Sequence, residues 1–235
     1  VPDTDIYKLI DWGNRMIGND DPEHADVLAS SAESEEFRLL PFRSPAAREV
    51  FEYGNDLANQ RRGKDGNDLV SRLVNQTPMD GQELSERDFN SYFLLLVVAG
   101  NETTRHTITH SMNYLMDNPD QMALLQEKPE LIPWAVEEFL RMASPVYHFR
   151  RTATKDTEIN GQMDVTRNPN EHMAFGRGGP HMCLGNSLAR LEIRIMFENL
   201  LPRISGMTKL SEPDRLRSNF VNGIKRLPVR VELAK

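Results

Sequence analysis

The stretch Phe175-Gly176-Arg177-Gly178-Gly179-Pro180-His181-Met182-Cys183-Leu184-Gly185 holds the single cysteine of a 235-residue chain. Three glycines precede that cysteine and let the backbone come close to a flat ligand. A helical pattern, about Leu184 to Leu201, begins directly after it. The free N–H groups of a helix start stabilise a thiolate. Leu184 and Gly185 follow on the ligand side. A soft anionic sulfur among small and apolar residues is what an axial ligand to haem iron requires. A lone cysteine is more often a structural residue in a turn, but one placed behind FGRGGPH at a helix start favours the ligand.

One cysteine excludes an intrachain disulfide and any zinc site built on several thiolates. It fits a reducing, intracellular compartment. Apolar residues at 39% and charged residues at 27% are the balance of an ordinary globular protein. The net charge of −7 argues against nucleic acid as a partner, since a phosphate-binding surface needs a basic excess. The longest apolar run, Phe93 to Ala99, is too short to span a bilayer. The first residues, Val1-Pro2, carry no initiating Met, which suggests missing upstream sequence.

Working upstream, the longest helical pattern runs from Ser85 to Asp117. Ser85 reads as its N-cap, with an acid three residues on. Its middle, FLLLVVAG, is apolar all round and predicts a buried helix. Ala99-Gly100 makes a bare patch, and Asn101-Glu102-Thr103-Thr104 follows it. An acid and a hydroxyl in an apolar setting are costly unless hydrogen-bonded or used. Glu102 and Thr103 could feed protons to a bound oxygen, or mark only a helix kink. Glu138 and Arg141 lie one helical turn apart and predict an intrahelical ion pair. Arg150 and Arg151 follow Pro145 and Val146, and either arginine could reach an anionic group.

The remaining pattern predicts helices over about 5–18, 45–60, 68–75, 119–127 and 130–142. Residues 19–44 read as a long surface loop. Residues 149–161 alternate and end in Asn160-Gly161, a strand-and-turn signal. The final LPVRVEL reads as a strand. The fold class expected is mainly α with minor β.

In this order the motifs resemble the cytochrome P-450 superfamily. AGNETT resembles the oxygen-side helix, EEFLR the E-x-x-R helix, and FGRGGPHMCLGNSLAR the haem-thiolate loop with its following helix. The resemblance implies one partial domain over 1–235, the C-terminal part of that fold. It is closer to actinobacterial-type members that hydroxylate terminal carbons of sterol side chains or branched lipids. WGNRMIGNDDPE, VAGNETTRHTITHSM, DVTRNPNEHMAFGRGGPHMCLG and NGIKRLPV carry that similarity.

The resemblance implies haem b as cofactor, dioxygen as co-substrate and Cys183 as the iron ligand. Phe175 would pack near the sulfur, and Gly185 and Gly100 would allow close approach. His181 and Arg151 would meet haem propionates. Glu102 and Thr103 would act in oxygen activation, and Glu138 with Arg141 would hold the core under the cysteine loop. Val98, Val146, His148, Val221 and Ile224 would line the substrate pocket. Electrons would come from a ferredoxin and its NAD(P)H-dependent reductase in the cytoplasm, since no flavin or nucleotide-binding motif is present. Two departures stand out: the family's N-terminal part is missing, and Met163-Asp164-Val165 leads almost directly to the cysteine loop. The arginine that completes the Glu–Arg network is expected to be absent, with Arg167 not its equivalent. A haem-binding protein without turnover and a haem-free helical fragment are the alternatives from other classes.

Overall fold

The computed structural model describes residues 1–76, 81, 84–147, 163–176, 179 and 181–234. They form two compact units, Val1–Glu102 and Thr103–Lys235.

The first unit holds α1 (Ile6–Ile17), α2 (Ala46–Arg61), α3 (Leu69–Asn75) and the N-terminal half of α4 (Glu86–Asp117). Trp12, Met16 and Ile17 of α1 are buried, as their i, i+4, i+5 spacing dictates. The Trp12 indole donates to Glu49 at 2.9 Å, and Tyr53 of α2 lies between Trp12 and Phe93, with ring centroids 5.3 and 6.3 Å away. Asp68 caps α3 by accepting from the Ser71 N–H at 3.1 Å. Ser85 caps α4 as the sequence predicts, accepting from the Asp88 N–H at 3.1 Å.

Helix α4 departs from its expected burial on all sides. Phe89, Phe93, Val97 and Val98 are buried, whereas Leu95 is 56% exposed and Ala99 and Gly100 are exposed. The run FLLLVVAG therefore serves two faces. Residues 89, 93 and 97 share the inward face. Residues 92, 95 and 99 are exposed.

The second unit contains the rest of α4, α5 (Pro119–Glu127), α6 (Ile132–Ala143), α7 (Asn186–Leu200) and four short strands. Residues 132, 135, 136, 139, 140 and 143 of α6 fall on one helical face, and all six are buried. All but Ala143 pack with Leu115, Leu125, Ile193, Phe197 and Met207 in one apolar core. Phe139 and Phe197 join α6 to α7 with ring centroids 4.6 Å apart. Helix α6 stops at Ala143 because Ser144 turns left-handed (φ 34°) and Pro145 cannot continue the ladder. Strand β1 (Ile204–Lys209) pairs antiparallel with β4 (Val229–Leu233), the strand expected from LPVRVEL. Strand β2 (Asp214–Arg215) pairs with β3 (Ile224–Arg226). The strand expected over 149–161 lies outside the described residues. The architecture is mainly α with minor β, as the sequence predicts.

Candidate functional site

Cys183 sits three residues before α7 with its side chain exposed. Its N–H donates to the Phe175 carbonyl at 3.0 Å, which closes the glycine loop on itself. Gly176 (φ 68°) and Gly179 (φ 85°) occupy the left-handed region that this tight path demands. The Cys183 carbonyl accepts from the Asn186 amide side chain at 2.7 Å. His181 is exposed in the same loop. Arg151 and His148 lie outside the described residues.

A haem can be tested against this surface. A Cβ added at Gly185 meets no atom within 4 Å. Met182 and Leu184 flank Cys183 and are 48% and 80% exposed. Leu188, one turn on, is also exposed. An accessible thiol with apolar flanks and no side chain on the adjacent glycine suits a flat, apolar macrocycle. The residues present fit the group.

Behind the loop, α6 presents two consecutive carboxylates to two different sets of partners. Successive helical residues are rotated by about 100°. Glu138, fully buried, takes both Arg141 contacts at 2.7 Å, as its spacing predicts. It also accepts from Arg167 Nε at 3.1 Å, the Asn170 amide at 2.9 Å and the Asp164 N–H at 3.0 Å. The expectation that no third arginine completes this network is therefore corrected. Arg167 does so, because the Asp164-Val165-Thr166-Arg167 turn anchors to Glu138 through the Asp164 N–H and so swings Arg167 onto the same carboxylate. Burial pushes the Glu138 carboxyl up, but the hydrogen bonds from Arg141, Asp164 and Asn170 and the Arg141 charge outweigh it and hold the pKa below the usual range.

Glu137 meets Arg190 of α7 through Nε at 2.6 Å and Nη2 at 2.9 Å, and His172 Nε2 at 3.0 Å. The Ala174 N–H donates to His172 Nδ1 at 3.2 Å, so that nitrogen is unprotonated and Nε2 carries the hydrogen donated to Glu137. Burial pushes the Glu137 carboxyl up, but His172 and Arg190 more than offset it and bring its pKa down to about 2. The Arg190 guanidinium lies 4.7 Å from the Phe175 ring centroid, and Nη1 donates to Asn186 at 2.9 Å. Sequence reasoning missed Glu137, His172, Arg190 and Asn186. The one local signal was the i, i+4 spacing of Asn186 and Arg190.

The other expected site residues fall as follows. Val98, Gly100 and Glu102 belong to the first unit. Glu102 is 1% exposed, and a Cβ added at Gly13 of α1 would lie 3.2 Å from its Oε1. Gly100 is open, with no atom within 4 Å of an added Cβ. Thr103 begins the second unit, and its carbonyl accepts from the Thr107 hydroxyl at 2.8 Å. Val146 and Val221 are brought together as an antiparallel bridge, with Val221 fully buried. The Ile224 N–H donates to His106 at 3.3 Å, and Ile224 itself is buried.

Comparison with known proteins agrees with this geometry. The chain is 36% identical to a steroid C26-monooxygenase of Rhodococcus jostii, over all of this chain and 52% of the relative. That alignment is longer than the chain, so the relative carries residues that this chain lacks. It is 37% identical to a methyl-branched lipid omega-hydroxylase of Mycobacterium bovis, over 97% of this chain and 57% of the relative. The chain thus spans about half the length of the curated relatives it matches. Among solved structures it resembles a Mycobacterium marinum cytochrome P-450 in complex with pseudoionone, with a TM-score of 0.81 and 32% identity over 97% of this chain and 59% of that one. The family model described as Cytochrome P-450 matches residues 38–166, more than half of the sequence. With the glycine-looped cysteine before α7 and the carboxylate–arginine network of α6, that match makes this chain a member of the cytochrome P-450 family.

Proposed function

We propose that this chain, or the longer protein it belongs to, is a cytoplasmic haem-thiolate monooxygenase that hydroxylates an apolar substrate. A sterol side chain or related lipid is the substrate class, by similarity to relatives named for steroids and methyl-branched lipids. The observation that carries the reading is the exposed Cys183, held by its own N–H against the Phe175 carbonyl at the start of α7.

When bound, haem b supplies activation of dioxygen and insertion of one oxygen atom into a C–H bond, the other atom leaving as water. The Cys183 sulfur is the ligand, and it pushes electron density toward the group it holds. Phe175 and Gly185 shape the surface beside it. His181 and Arg151 bind the propionates. Gly100 leaves the α4 backbone bare for close approach, and Glu102 and Thr103 hold and pass protons on the oxygen side. Glu138 and Arg141 keep the base of the cysteine loop in place. Val98, Val146, His148, Val221 and Ile224 contact the substrate. A ferredoxin and its NAD(P)H-dependent reductase supply electrons. The two compact units act as parts of one partial domain spanning 1–235.

A second reading, a haem-free fragment, is favoured by the exposed Leu191 and Ile195 further along α7, apolar side chains that lie away from Cys183 and are half-exposed among the described residues. One spectrum separates the two. The chain, reduced and treated with carbon monoxide, gives a strongly red-shifted Soret band that Cys183→Ser abolishes if the thiolate is the ligand. Absence of any protein-bound Soret band, once unbound haem has been removed from the haem-supplemented chain, sinks the first reading and supports the second.

A further inference from the structure

We infer that Arg190 is a positioning residue for the thiolate loop, and that Glu137 and His172 orient it for that task. The inference rests on the reading of Cys183 as haem ligand and adds residues that the recognised motifs do not assign.

Arg190 is tied at every edge of its guanidinium. Nε and Nη2 grip both oxygens of Glu137, at 2.6 and 2.9 Å. Nη1 donates to Asn186 at 2.9 Å, and Asn186 in turn donates to the Cys183 carbonyl at 2.7 Å. The flat face lies over Phe175 at 4.7 Å, and Phe175 provides the carbonyl that receives the Cys183 N–H. One side chain therefore reaches both peptide groups that flank the cysteine, one through a hydrogen-bond relay and the other through a ring. His172 completes the Glu137 shell at 3.0 Å and packs its ring 6.0 Å from Phe175.

The chemistry selects arginine. A bidentate carboxylate grip, a third donor in the same plane and stacking on an aromatic face are all properties of a guanidinium. Lysine has one point charge and cannot satisfy Glu137 and Asn186 while covering the ring. An ordinary surface ion pair would use none of this geometry. Arg194 on the same helix is such a pair: among the described residues it meets only Glu198, at 2.7 Å, with half its side chain exposed.

The test compares the parent chain with Arg190→Gln, Arg190→Lys and the control Arg194→Gln. The first readout is haem affinity, by titration of haem into the haem-free chain, with the position of the reduced carbon-monoxide band. Outer-shell partners of ligands are typically worth 10–100-fold in affinity. Arg190→Gln is expected to lose roughly 10-fold or more in haem affinity and to lose red-shifted band intensity. Arg190→Lys should recover only part, and Arg194→Gln should match the parent. Parent-like affinity and band in Arg190→Gln would overturn the inference.

The second readout needs no haem. Amide hydrogen exchange across 173–186 in the haem-free chain should quicken in Arg190→Gln, while exchange in the α6 core stays as in the parent. Unchanged exchange in that loop overturns the inference. A parent chain without the red-shifted band overturns the proposed function instead, and the exchange result then decides whether Arg190 positions the loop.

Discussion

The Glu138 carboxylate and the Arg167 guanidinium meet at 3.1 Å, although twenty-nine residues separate them in the chain. Glu138 is fully buried, so its charge depends on this partner together with Arg141, Asn170 and the Asp164 N–H. Hydrogen bonds to charged groups contribute about 1.5–3 kcal/mol, and solvent at a third-exposed arginine lowers that. Arg167→Ala is expected to cost about 1–2 kcal/mol in urea unfolding. Glu138→Ala removes the centre of the network and leaves two cations facing each other, at about 3–5 kcal/mol. Equal effects of the two variants would contradict the hub role of Glu138.

Acid should weaken the second unit through both α6 carboxylates. Their folded pKa values lie below the ordinary 4.5, that of Glu137 at about 2. A depressed carboxylate stabilises the fold fully above its unfolded value and loses that contribution as pH falls through the folded one. Stability should therefore decline from about pH 4.5 towards pH 2, and Glu137→Gln should flatten the slope. Denaturant midpoints measured across that range check the sign.

A second pH window comes from His110, buried on α4. Its Nε2 meets the Asn222 carbonyl at 2.8 Å, and its ring stacks 5.9 Å from Tyr114. Burial pushes its pKa below 6.5, and the nearby Arg215 and His106 push the same way, against the Asn222 bond. The unfolded chain then takes up the proton first, so stability is full above about pH 6.5 and falls below it. His110→Gln should remove this slope; a slope that persists places its origin elsewhere.

Gly54 tests the packing of the first unit. Alanine in a helix interior is favoured over glycine by about 1 kcal/mol. Here the new Cβ would lie 2.8 Å from the Phe93 ring, and overpacking costs about 1–3 kcal/mol. The clash outweighs the propensity, so Gly54→Ala should lower the thermal midpoint. A rise would mean that Phe93 moves aside freely.

What the sequence made legible was local. Helix spans followed from apolar spacing, the Ser85 cap from its acid three residues on, and the Glu138–Arg141 pair from its one-turn separation. Cys183 stood out because glycines and a helix start frame it. The contacts that were missed are long-range. Arg167 reaches Glu138, and Arg190 reaches Glu137, only after two helices and a loop have folded together, and no periodicity encodes such a meeting. The burial of α4 was misjudged for the same reason: an apolar run says that surface can be covered, and only the partners decide which side is.

The adjacency of Glu137 and Glu138 has a consequence for how the second unit comes apart. The first holds the cysteine loop through Arg190 and His172; the second holds the 164–170 turn. Both hang from one peptide link in the middle of α6. Local opening of that turn would release the two segments in a single event, so they should open and close as one cooperative block in native-state exchange. The cysteine's anchorage is thus only as durable as a single turn of a helix that lies far from it in the chain.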